Sequence, residues 1–196
     1  MIEKYVSFIV FVVVMTGTPG MGNLSMMSLG QNAGFRAAMP FLCGATVGFG
    51  VLGSAVGLGL GELVRGSEWA GQVLRWGGAA YILYLAVKLL RMRPGAAGPV
   101  RSLGFGEGLF LHPLNPKSWA MFVAGFGMLY DPAQSMAFQL LIFMITFLFF
   151  QVSFHSLWGA AGTSLQRFLG RGKMLRGINV LLVGCMVGAT LYALVR

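Results

Sequence analysis

The stretch Thr16-Gly17-Thr18-Pro19-Gly20-Met21-Gly22-Asn23 interrupts an apolar run over residues 5–30, and it decides how the rest of the chain is read. The run is long enough to cross a bilayer, which takes about 20 apolar residues as a helix. Pro19 has no N–H and disfavours helical geometry at Thr18, so the carbonyl near Met15 is left without its helical partner. Gly17, Gly20 and Gly22 let the backbone unwind there or let a neighbour come close. At 1.5 Å per residue Pro19 falls about 21 Å beyond Tyr5, near the middle of the run. Backbone groups freed at such depth are tolerated only against protein or a wet cavity.

Outward from this break, apolar runs of membrane length read as six spans: residues 5–30, 41–61, 69–90, 108–129, 136–157 and 175–195. The fourth is also broken, at His112-Pro113-Leu114-Asn115-Pro116-Lys117, where Pro116 lies about 13 Å beyond Glu107. The other four contain no internal proline. Only the stretch around residues 93–106 reads as a linker, with Pro94, Pro99 and several glycines. It divides the chain into one repeat at about residues 1–92 and a second at about 107–196, within a single transmembrane domain. Three spans per half, an odd number, place the halves in opposite orientation. Leu74-Arg75-Trp76-Gly77 opening span three echoes Leu175-Arg176-Gly177 opening span six. The expected fold is therefore an all-α integral membrane protein, six transmembrane helices in two inverted three-helix repeats, with helices 1 and 4 broken by proline near the midplane.

Composition agrees. Of 196 residues, 57% are hydrophobic and 10% charged, whereas an ordinary soluble domain has about 25% charged residues. That excludes a soluble enzyme, and six spans leave no length for a second folded domain. The net charge of +9, from 14 Lys+Arg against 5 Asp+Glu, is a topology signal and not a nucleic-acid footprint. Loops after spans one, three and five carry nine basic residues: Arg36, Lys88, Arg91, Arg93, Arg101, Arg167, Arg171, Lys173 and Arg176. The opposite side carries four: Lys4, Arg65, Arg75 and Arg196. The positive-inside rule puts the linker in the cytoplasm and both termini outside. Anionic headgroups of the bilayer are the partners of these charges. Cys43 and Cys185 lie within apolar runs, so no extracellular disulfide framework is expected.

Chemistry concentrates at the breaks. Half-helix N-termini aim partial positive charge at an anionic group, and freed carbonyls face a cation, so the pair suits a zwitterion. Lys117, beside Asn115, is the one basic residue well inside a span by this reading. Three roles are open to it: holding a substrate carboxylate, pairing with Glu107, or snorkelling to the headgroups. Gln151, His155 and Trp158 share one helical face. His155, like His112, is either a proton shuttle or a neutral donor between helices. No Asp or Glu falls in the central part of any span, so proton coupling has only His155, His112, Glu107 or the substrate itself to use. The small-xxx-small pairs Gly44/Gly48 and Gly53/Gly57 read as close helix packing.

Thr18-Pro19-Gly20-Met21-Gly22-Asn23-Leu24 resembles the Thr-Pro-Gly-Pro-x-Asn-Leu signature of the LysE/RhtB family of bacterial amino-acid exporters. Gly34-Phe35-Arg36 with Gly44 and Gly48 keeps that family's spacing, and Asn115-Pro116-Lys117-Ser118-Trp119 looks like its second hallmark. Residues 74–88 are similar to its third span, and Trp158-Gly159-Ala160-Ala161-Gly162 with Asn179 to its C-terminal part. The branch it most resembles holds cysteine and O-acetylserine exporters. The resemblance implies an inner-membrane exporter of amino acids or close derivatives, driven by the proton gradient, with homodimerisation open and no cofactor. The residues it implies for substrate are Thr18, Pro19, Gly20, Asn23, Asn115, Pro116, Lys117, Trp158 and Asn179, with His155, His112 and Glu107 as coupling candidates. Met21 departs from the signature by replacing its second proline. Two other functions were weighed. A metal-cation exporter wants clustered His, Cys or carboxylate ligands, and a thiol–disulfide electron carrier wants cysteines at equivalent repeat positions; the sequence supplies neither.

Overall fold

A computed structural model describes residues 2–61, 64, 66–92, 103–170 and 172–195, less the side chains of 189 and 192–195. Most of the expected linker, with Arg93 and Arg101, lies outside the described residues, as do Arg65, Arg171 and Arg196. Among the described residues the chain is wholly helical. Its helices are α1 (Ile2–Gly17), α2 (Met21–Ala33), α3 (Phe35–Ala55), α4 (Glu68–Arg91), α5 (Phe105–Leu111), α6 (Pro116–Leu129), α7 (Met136–Leu169) and α8 (Lys173–Val195). A π-helical turn, Val56–Leu60, prolongs α3, with Gly59 at φ 103, a conformation other residues rarely adopt. Three of these elements, α3 with its π turn, α4 and α7, are long and apolar enough to cross a membrane. The pair α1 and α2, bent by 46° at their break, makes a fourth.

Helices end or begin close to Pro19 and Pro116. The first run is two helices, not one, ending at Gly17 and restarting at Met21. The second run splits into α5 and α6 around a turn at residues 112–114. Two boundaries differ from the sequence reading. The fifth expected span, α7, continues past residue 157 to Leu169, because nothing stops it before Gly170, whose φ is 65. The second begins at Phe35, so Pro40 lies inside it. The carbonyl Pro40 cannot serve is that of Arg36, an exposed residue close to the helix start, so the cost is small there.

Glycines let backbones touch at two crossings. A Cβ at Gly30 would overlap the Gly159 carbonyl, and one at Gly162 would overlap that of Met27, which locks α2 against α7. Gly44 and Gly48 stand in the same way against the α5 carbonyls of Phe105 and Leu109, so this pair does serve packing. The apolar side chains form two cores. One gathers Met26, Leu29, Phe41, Leu85, Leu89 and Leu111. The other gathers Phe8, Val12, Phe49, Phe122, Phe143 and Phe147, with ring centroids 4.5 Å apart for Phe49 and Phe122. Helix α3 contributes to both. Outside the bundle, Val51, Ile145, Phe149 and Leu181 are exposed, a surface suited to lipid and not to water.

Candidate functional site

The end of α1 leaves carbonyls without helical donors, as every helix C-terminus does. The chain satisfies them one after another. Thr18 Oγ1 donates to the Met15 carbonyl at 3.4 Å, standing in for the N–H that Pro19 lacks. Asn23 Nδ2 gathers the next three, donating to Thr16 O at 2.8 Å, Thr18 O at 2.9 Å and Gly17 O at 3.4 Å. Trp158 Nε1, on α7, adds a second donor to Gly17 O at 3.3 Å. The second break closes similarly. Asn115 caps α6 by accepting from Lys117 N at 3.0 Å, and Trp119 Nε1 donates to Pro113 O at 2.9 Å. The freed carbonyls expected to meet a cation are thus already occupied by protein donors.

What the breaks leave open is positive. The N-termini of α2, at Gly20 and Met21, and of α6, at Asn115 to Lys117, line a common cavity of about 660 Å³. Lys117 Nζ donates to Thr18 Oγ1 at 3.2 Å, across the two halves of the chain, and lies close to Gly20. It makes no pair with Glu107. Arg75, two turns into α4, lines the same cavity, and its Nε has no partner among the described residues. The sequence reading placed Arg75 among the loop charges; its position six residues inside the span was the signal that it belonged elsewhere. The rest of the wall is largely apolar, formed by Met21, Leu24, Leu74, Ala79, Ile82 and Met186 among others.

A second, much smaller pocket of about 40 Å³ adjoins it, sharing Gly20, Met21, Asn115 and Lys117. Its inner wall carries the polar side chains of Asn23, His112, Gln151 and His155 among the apolar Met15, Phe49 and Met121; the four polar residues are exposed by only 3%, 6%, 1% and 4%. Among the described residues Asn23 Oδ1, His112 Nε2 and both amide atoms of Gln151 have no partner, unusual for groups so deeply buried. His112 Nδ1 lies 2.9 Å from Ser118 Oγ, and the two histidine rings are 5.8 Å apart. Gly22 makes room for the cluster, since a Cβ there would overlap His155 Nε2. Ser118 was not anticipated from the sequence.

Of the residues expected at the site, Thr18, Pro19, Gly20, Asn23, Asn115, Pro116, Lys117, His112 and His155 line one or both cavities. The others lie elsewhere. Glu107 is tied to Lys88, accepts from Gly104 N at 2.7 Å and Tyr84 Oη at 3.1 Å, and fastens α5 to α4. Asn179 is buried between α2 and α4, accepting from Ser28 Oγ and donating to Leu89 O at 3.3 Å. Trp158 braces the first break from outside the cavities.

Comparison with known proteins gives the family of the chain. The chain is 25% identical to the homoserine/homoserine lactone efflux protein of Salmonella typhimurium, covering 97% of this chain and 98% of that one. It is 28% identical to the cysteine/O-acetylserine efflux protein of Klebsiella pneumoniae, over 92% and 94% of the two chains. An uncharacterized membrane protein of Vibrio cholerae is 25% identical over 95% of this chain. No solved structure matches. The profile of LysE type translocators matches residues 12–196, nearly the whole chain, and the chain belongs to that family.

Proposed function

We propose that the protein is a secondary transporter that exports amino acids or close derivatives across the bacterial inner membrane by proton-coupled alternating access. The observation that carries this reading is the meeting of the two helix breaks. Two half-helix N-termini and the Lys117 ammonium, drawn from opposite halves of the chain, face one cavity, which is the arrangement that favours a substrate carboxylate. Two of the three relatives are efflux proteins by name, which agrees in kind.

The packing supports six spans in two inverted repeats, α1–α4 and α5–α8. The broken pair of each half lies on the unbroken second helix of the other, α1 and α2 on α7, α5 and α6 on α3, while α3 meets α7 and α4 meets α8. In this reading Lys88 and Glu107 mark the cytoplasmic end and both termini are periplasmic. Thr18, Gly20, Asn115 and Lys117 contact the substrate, Asn23 and Trp158 hold the break open, and Asn179 braces α2. His155 and His112, at the inner pocket, take the coupling role in preference to Glu107, which is engaged with Lys88. A metal-cation cargo fits poorly against a wall carrying both Lys117 and Arg75.

The test is amino-acid uptake into inverted vesicles with and without an imposed pH gradient, beside growth tolerance to excess amino acid. Wild-type protein confers both activities and the gradient accelerates uptake. Lys117→Ala, expressed to the same level, abolishes them. Full uptake by that variant would remove Lys117 from the site.

A further inference from the structure

The two adjoining cavities differ in size and chemistry, and that difference bears on what the exporter carries. The small one holds about 40 Å³, room for roughly one water or one ammonium group at about 30 Å³ each. Its wall supplies unpartnered acceptors, Asn23 Oδ1 and Gln151 Oε1, on side chains at least nine-tenths buried. Lys117 stands where the two cavities meet. The large one, about 660 Å³, falls within the range of about 300–1,000 Å³ typical of sites that enclose sizeable organic ligands. Beyond the cationic pair of Lys117 and Arg75, its described wall is mostly hydrocarbon and carries no carboxylate.

We infer that the substrate is an amino acid with a bulky apolar side chain. The ammonium enters the small polar pocket, the carboxylate meets Lys117 at the junction with Arg75 as a second cation on the same wall, and the side chain fills the space between Leu24, Leu74, Ala79, Ile82 and Met186. This rests on the exporter reading above and narrows it. A homoserine- or cysteine-sized molecule would satisfy the head-group contacts but leave most of the apolar wall uncovered, and each methylene buried there is worth about fourfold in affinity. The cavity therefore selects by side-chain bulk, in contrast with the small polar substrates that the relatives' names give.

The experiment is competition against labelled leucine uptake in inverted vesicles by phenylalanine, methionine, alanine, homoserine and O-acetylserine. The expected result is half-inhibition by phenylalanine and methionine at concentrations at least tenfold below those of homoserine and O-acetylserine. Two variants fill the large cavity without touching the small one, Ala79→Leu and the more tolerant Leu74→Trp, and both raise the half-inhibitory concentration of phenylalanine more than that of alanine. If homoserine and O-acetylserine compete as well as phenylalanine, the inference falls while the exporter reading stands. Equal shifts for phenylalanine and alanine in both variants would show that the side chain lies elsewhere. If no amino acid on the panel, labelled directly, is taken up, the exporter reading itself falls and the inference with it.

Discussion

Replacing Asn23 by leucine keeps the branched outline of the side chain, at a larger volume, but removes the amide that gathers three carbonyls at the end of α1. Two of its bonds are of ordinary length, 2.8 Å to Thr16 O and 2.9 Å to Thr18 O, while Gly17 O keeps a second donor in Trp158 Nε1. The loss therefore strands one buried acceptor, Thr16 O, at about 1–3 kcal/mol, and one part-buried acceptor beside the exposed Thr18 at less. The total, about 2–4 kcal/mol, corresponds to a fall in Tm on the order of 10 °C for a chain of this length. Ser153→Ala is the control, because Ser153 Oγ only adds a bond at 2.7 Å to a Phe149 carbonyl within α7, and its removal leaves Tm within about 1–2 °C. Thermal unfolding in detergent, followed by loss of the monodisperse peak, measures both. A Tm for Asn23→Leu within about 2 °C of wild type, together with lost uptake, would refute the clasp and leave Asn23 with substrate contact as its whole role.

Two further outcomes follow from packing and charge. Gly162→Ala puts a methyl group into the Met27 carbonyl of α2, where backbone faces backbone, so folded yield falls by at least the 1–3 kcal/mol typical of overpacking. Gly177→Ala, with open space around it, is neutral or slightly stabilising; thermal unfolding of the two side by side checks the contrast. At the α4–α5 fastening, Lys88→Ala costs about 1 kcal/mol, because the pair is partly exposed. Glu107→Ala costs more, since it also frees Tyr84 Oη and Gly104 N, and equal losses in the same assay would contradict this ordering.

Much of the site was legible because proline acts locally. Pro19 and Pro116 each remove a donor at a fixed place, and the structure ends or starts a helix within a few residues of both. The glycines were legible for a related reason: Gly44 and Gly48 share one helix face, and only a partner backbone fits there. Destinations were less legible. Which donor reaches a freed carbonyl depends on tertiary placement, so nothing in the letters told that Asn23 and Trp158 would occupy the carbonyls left for a cation. Arg75 was misplaced because counting charges by loop assumes that a basic residue near a span end faces water, whereas Arg75 turns into a cavity. The polar residues of α2 gave no periodic signal because the helix is buried almost all round, with Ser25, Ser28 and Gln31 at 0% exposure.

The position of the polar pocket follows from the division of the core. One cluster holds α2, the first half of α3, the second half of α4, the end of α5 and the middle of α8; the other holds α1, the rest of α3, α6 and the first half of α7. His112 lies at the seam, its ring 4.7 Å from that of Phe49 in the second cluster, while its neighbour Leu111 belongs to the first. A close-packed core resists deformation, because displaced side chains lose contacts at once. A boundary between two cores, crossed by unwound chain and by unpartnered polar groups, costs far less to rearrange. Relative motion of the two cores would therefore concentrate at that boundary, where Lys117 at the second break already reaches Thr18 at the first. Replacing that contact with one to a substrate carboxylate is the change through which binding would reach both helix breaks at once.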